Sequence, residues 1–170
     1  MVLTCIKGRA GRGPKMTHRK GGSMYKHILI PTDGSEIAEK AVDAGIEYAA
    51  EAGAKVTLFT AVPEYRTPGE GEVISGRAVS IADHARACEK KAERTLANAA
   101  GRARAARLDF DTDFALSDHP WQAIIDAAKR NGCDAIFMGS HGRGALSRLV
   151  HGSQALDVLS HCDIPTLVVR

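Results

Sequence analysis

One stretch of the chain concentrates the residue types best suited to chemistry: Gly139-Ser-His-Gly-Arg-Gly-Ala-Leu-Ser-Arg-Leu-Val-His-Gly-Ser153. Its glycines are spaced Gly139-x2-Gly142-x9-Gly152-Ser153. Glycine reaches backbone angles closed to other residues and lets the main chain lie against a ligand. Gly152 and Ser153 fall where a following helix should begin. A helix start offers unpaired N–H groups and a partial positive charge, which together suit a phosphate. The Ser153 hydroxyl can add a hydrogen bond. From Ala135 to Leu156 there is no acidic residue, while His141, Arg143, Arg148 and His151 are present. The chemistry on offer is the cradling of an anion by backbone amides. The alternative is a structural loop whose glycines only make turns. A strand-to-helix connection of this length is uncommon in compact domains unless it has a function.

Other chemistries find less support. A Walker sequence G-x4-G-K-[ST], which would bring a lysine to the terminal phosphates, is absent, and so is the G-x-S-x-G turn of serine hydrolases. His141 and His151 are candidate general bases, but no neighbour in sequence orients either. Asp118 and His119 form a candidate acid–base pair, which helix capping explains better. Asp33 has two readings of equal weight. Its carboxylate can accept from ribose hydroxyls or help hold a phosphate-bound metal. It can equally close an Asx-turn. The site reads as a binder first, with no catalytic residue assigned.

The elements that would position these residues follow from periodicity. His27-Ile-Leu-Ile30 is a short apolar run fit for a central strand ending at Pro31. Ser35 is a natural N-cap for a helix whose apolar stripe includes Ile37, Ala41, Val42, Gly45 and Ile46, with Gly53 as its stop. Val56 to Val62 is the second strand, followed by a loop and a long helix from about Arg77 to Arg104. That helix has Ile81, Ala85, Cys88, Ala92, Leu96 and Ala99 as its buried stripe and an outer face of Arg and Glu that reads as solvated. Leu108-x-Phe110-x-Thr112-x-Phe114-x-Leu116 alternates strictly, as a half-exposed strand near a sheet edge does. Pro120 opens the third helix and Gly132 ends it. Asp134 to Met138, Gln154 to His161 and Thr166 to Arg170 supply the fourth strand, last helix and fifth strand. Strand–helix pairs closed by a strand argue for an open five-stranded parallel α/β sheet with helices on both faces.

The glycine pattern G-x2-G-x9-G-[ST] resembles the nucleotide-binding signature of the universal stress protein family. Lys26-His-Ile-Leu-Ile-Pro-Thr-Asp-Gly-Ser35 and Ile164-Pro-Thr-Leu-Val-Val169 resemble its first and last strands. The resemblance covers about residues 24 to 170. It implies a Rossmann-like sheet of strand order 3-2-1-4-5, with Asp33 and Gly139 at the tips of the two strands that flank the reversal. Ligands of open α/β sheets bind at such switch points. It further implies ATP as the ligand, with Mg²⁺ or Mn²⁺ bound through the phosphates. Asp33 matches the nucleotide-contacting position, with Pro31 and Thr32 on the adenine side. Ala61 matches a position whose backbone touches adenine. Met138 lines the adenine pocket or serves as core. Gly139, Gly142, Gly152 and Ser153 carry the phosphates beside the Ser140 and Gln154 backbones, and Arg143 and Arg148 are candidate clamps. A cytoplasmic stress-response sensor or regulator, homodimeric through its last strand, is the implied function. The alternatives are a slow ATPase in the same crevice and a nucleotide-free interaction module.

Composition sets bounds on these readings. With 170 residues, 44% hydrophobic and 25% charged, the chain is ordinary for one soluble domain. No apolar run approaches the ~20 residues that cross a bilayer. Cys5, Cys88, Cys133 and Cys162 form no C-x-x-C pair and read as isolated reduced thiols, which fits the cytoplasm. The net charge of +3 is uneven. Residues 1–24 carry Lys7, Arg9, Arg12, Lys15, Arg19 and Lys20 and no acid. Without these six, 17 bases face 20 acids. The body from residue 25 onward is therefore acidic, which argues against specific nucleic-acid binding. The extension is expected to be disordered, with Met16 and Met24 as alternative starts.

Overall fold

The computed structural model describes residues 8–9, 24–65, 80–140 and 154–170. Six strands form one sheet: β1 (Gly8–Arg9), β2 (His27–Pro31), β3 (Lys55–Val62), β4 (Phe110–Leu116), β5 (Ala135–Gly139) and β6 (Thr166–Val169). Among the described residues there are four helices, α1 (Glu36–Ala52), α2 (Ile81–Ala105), α3 (Pro120–Asn131) and α4 (Gln154–His161), which alternate with the strands from β2 onward. The sheet order is β1-β4-β3-β2-β5-β6. The strands from β2 to β6 are parallel, and in chain order they follow the expected 3-2-1-4-5. In the basic extension, β1 pairs antiparallel with β4, Gly8 opposite Thr112 and Arg9 opposite Asp111.

The central strands are buried on both faces, which is why they read as unbroken apolar runs rather than alternating ones. Ile28, Leu29 and Ile30 are fully buried. Ile28, Ile30 and Phe137 face a core built with Val42 and Ile46 of α1 and Leu96 and Ala99 of α2. Leu29, Ile136 and Met138 face the opposite core, with Ile124 and Ala128 of α3 and Val158 of α4. Each such side chain contributes about 1.5–3 kcal/mol of apolar burial.

Helix ends fall where local chemistry puts them. Ser35 adopts extended angles, and its hydroxyl accepts from the Ala38 amide at 3.4 Å. Glu36 and Glu39 occupy the first turn of α1, where negative charge is favoured. Gly53 closes the helix at φ 65, in the left-handed region, and donates to the Ala49 carbonyl.

Two expectations fail. The long helix starts at Ile81 behind an N-cap at Ser80, and Ile81 is 64% exposed instead of lying in the buried stripe. Cys88 already packs with Val62, the last residue of β3, and Ile81 lies two helical turns before Cys88. In β4, strict alternation places Asp113 on the more exposed face, yet it is 2% exposed. The carboxyl end of α3 covers it, and Arg130 and the Asn131 amide donate to its Oδ2 at 2.7 and 2.8 Å. A carboxylate buried this deeply survives because it is paired and hydrogen-bonded.

Candidate functional site

The seam between β2 and β5 shapes the site. Its ladder consists of Ile28 opposite Ala135 and Leu29 opposite Ile136. Toward the carboxyl ends each strand pairs only outward. β2 stays on β3 as far as Pro31 opposite Phe59, and the Thr32 amide donates to the Phe59 carbonyl at 2.8 Å. β5 stays on β6 as far as Gly139 opposite Val169, and the Ser140 amide donates to the Val169 carbonyl at 2.8 Å. The two central strands thus part at their tips. This is the geometry of a switch-point crevice.

On one side of the opening lies the turn Pro31-Thr-Asp-Gly-Ser35. The Asp33 Oδ1 accepts from the Ser35 amide at 2.9 Å, so the Asx-turn reading of this residue is realised. The Thr32 hydroxyl accepts from the Gly34 amide at 3.1 Å and donates to Glu39 Oε1 at 3.1 Å. Glu39 Oε2 in turn pairs with the Arg102 guanidinium of α2, which also donates to Asp43 at 2.7 Å. A polar chain therefore runs from α2 through α1 to the turn that carries Asp33. Sequence reasoning missed it. Residues 39 and 102 are far apart in the chain, and only the packing of α1 against α2 brings them together.

On the other side, Gly139 has a packing reason to be glycine. A Cβ built there would lie 2.9 Å from the Ile37 carbonyl oxygen and 3.2 Å from the Ala38 nitrogen. The first turn of α1 rests directly on the tip of β5. Gly45 allows the same close seating further along, where a Cβ would meet Ile30 Cδ1 at 2.6 Å and Phe137 Cβ at 3.3 Å. Met138 is 4% exposed and packs in the α3/α4 core, so its side chain serves as core in this structure. Ser140 is buried at the tip of β5, and Ala61 is partly buried on β3, beyond the end of the β2–β3 pairing. Pro31, Thr32, Asp33, Ala61, Met138, Gly139 and Ser140 thus all gather at the carboxyl edge of three adjacent strands.

Gln154 opens α4, and its side chain has a role the sequence did not suggest. Its Oε1 accepts from the Trp121 amide at 2.8 Å, filling an otherwise open donor in the first turn of α3. The capping expected of Asp118 and His119 is not what they do. His119 sits at the N-cap of α3 without a side-chain bond to the helix. Asp118 accepts from the Glu64 amide at 3.3 Å, tying the exit of β3 to that of β4. Gly142, Arg143, Gly152 and Ser153, with His141, Arg148 and His151, lie outside the described residues. Among the described residues, no three metal-ligating side chains gather in one place.

The profile of the universal stress protein family matches residues 24–170. The universal stress protein MJ0531 of Methanocaldococcus jannaschii is 30% identical over 157 residues, spanning 89% of this chain and 86% of its own. The solved structure of MJ0577, from the same organism, superposes with a TM-score of 0.68 at 27% identity, covering 86% of this chain and 96% of that one. A universal stress protein solved in complex with cAMP shares the fold, with a TM-score of 0.63 at 24% identity over 87% of this chain and 99% of that one.

Proposed function

Since the chain belongs to the universal stress protein family, we propose that it binds ATP in the crevice between β2 and β5 and acts as a stress-response sensor or regulator. The observation that carries the reading is the parting of these two strands at the tips that hold Asp33 and Gly139. The adenine ring lies toward Pro31, Thr32, Ala61 and Met138. The phosphates meet the amides of Gly139, Ser140, Gly142, Gly152, Ser153 and Gln154, with Arg143 beside them. That a protein of this fold is solved with cAMP supports an adenine nucleotide in such a crevice. The residues present fit the nucleotide: the tip of β5 is glycine and serine, and the turn after β2 carries a carboxylate able to face ribose. A divalent ion, Mg²⁺ or Mn²⁺, is carried on the phosphates. The compartment of this reading is the cytoplasm, and the chain pairs with a second copy through β6.

The test is isothermal titration of the full chain with ATP and Mg²⁺, after any co-purified nucleotide has been stripped and identified by mass. The expected result is one ATP per chain, weakened at least tenfold in Gly142→Val and Gly152→Val. Absence of both heat and carried nucleotide overturns the reading.

A further inference from the structure

On the α1/α2 face, away from the core, a cleft of about 530 Å³ opens between the two helices. Gly34 and Glu39 line one wall. Ala87, Lys90, Lys91, Arg94, Thr95 and Asn98 of α2 line the other. These α2 positions are spaced so that they fall on one helical stripe. The composition of the cleft is lopsided. Three cations face one acid, and that acid is already engaged: Glu39 takes the Thr32 hydroxyl on one oxygen and the Arg102 guanidinium on the other.

Some bases of the molecule are engaged by carboxylates, and the three cations of the cleft are not. Lys40, Lys55, Arg86, Arg102 and Arg130 each hold a carboxylate within 3.2 Å. Among the described residues, Lys90, Lys91 and Arg94 hold none. Lys90 and Arg94 stand at i,i+4, and Lys91 and Arg94 at i,i+3, so the stripe sets like charges side by side. Each such pair costs a helix a few tenths of a kcal/mol. An anion in the cleft would relieve that cost, with Thr95 and Asn98 supplying polar groups alongside. The volume suits a ligand of nucleotide size.

We propose that the α1/α2 cleft is a second binding site, separate from the β2–β5 crevice, for a di- or triphosphate group, either free or carried on a nucleotide. Lys90, Lys91 and Arg94 bind its charge, and Thr95 and Asn98 orient it. The cleft shares Gly34 with the turn that carries Asp33, so an occupant lies next to the β2 tip without depending on the glycine loop.

Titration of the full chain with sodium tripolyphosphate tests this directly. Measured in Gly152→Val, so that the phosphate cradle of the crevice is disabled, the expected result is saturable binding of one tripolyphosphate per chain, weakened at least tenfold on adding Lys91→Glu/Arg94→Glu. Lys129→Glu, on the opposite face of the sheet, controls for general charge and leaves binding within twofold. Circular dichroism confirms that the variants are folded. The same series with ATP separates the two sources. ATP binding retained in Gly152→Val and lost on adding Lys91→Glu/Arg94→Glu identifies a nucleotide-borne group. Tripolyphosphate binding without it identifies a free one. No saturable binding of tripolyphosphate overturns the proposal. So does binding that, in the Gly152→Val background, survives Lys91→Glu/Arg94→Glu or falls equally in Lys129→Glu.

Discussion

Gly139 shows how one residue can have two sufficient reasons. Its place in a glycine pattern points to a ligand, and the main chain of Ile37 and Ala38 pressed against it points to packing. Gly139→Ala separates them. The methyl group must push α1 off β5, an overpacking cost of about 1–3 kcal/mol, so thermal unfolding should occur at lower temperature even without nucleotide. An unchanged melting temperature would return the glycine to a ligand role alone. Asp33 was legible as two alternatives, and the structure realises the Asx-turn while leaving the residue at the crevice edge. His27 was read only as part of an apolar strand. Its ring bonds the Thr57 hydroxyl at 2.8 Å, and burial, aided by nearby Lys55, lowers its pKa below the ordinary 6.5. The unfolded chain therefore takes up a proton that the folded one resists. Stability contributed by neutral His27 is intact above pH 6.5 and declines as pH falls from 6.5 through its lowered value. Denaturant midpoints measured from pH 7.5 down to 5 should fall more steeply in the wild type than in His27→Gln. Parallel curves would show that another group controls the acid limb.

At the scale of elements, periodicity carried most of the information. Strands buried on both faces appear as short apolar runs and helices as three- and four-residue spacings, because each face must be covered. The reading failed where one element's surroundings are set by another. Ile81 obeys the helical stripe but lies beyond the sheet that would cover it. Asp113 obeys strand alternation but lies under α3. The cap of α3 was misassigned for the same reason. It comes from Gln154, distant in sequence, and not from the neighbouring Asp118 or His119. Removing it in Gln154→Ala should cost about 1 kcal/mol, the ordinary worth of a helix N-terminal hydrogen bond. Urea denaturation reads that cost, and hydrogen exchange at the Trp121 amide should quicken with it. Equal stability would mean that water replaces the side chain.

For the whole molecule, strand order was beyond periodicity. It entered through resemblance, and the sheet bears it out. The crevice followed from that order, because a reversal must leave two neighbouring strands whose connections depart in opposite directions. No helix among the described residues is long and apolar enough to cross a membrane. The large exposed apolar side chains of the last two elements are Leu156, Leu159 and Leu167, on α4 and β6. An outer strand with apolar side chains in water invites pairing with another strand. On the proposed dimer, Leu167→Lys should bring the mass measured by light scattering to that of one chain. A wild type that is already one chain in mass rules out pairing through β6.

The short ladder between β2 and β5 has a mechanical side. At the amino end, the Asp134 carboxylate accepts from the amides of both Lys26 and His27 at 2.9 to 3.0 Å, and the Asp134 amide donates to the His27 carbonyl at 2.8 Å. One aspartate thus pins the two halves of the sheet where they meet, and nothing in the backbone ladder ties them at the far end. The opening is therefore a wedge with its apex at Asp134, and on one face the first turn of α1 spans it by resting on Gly139.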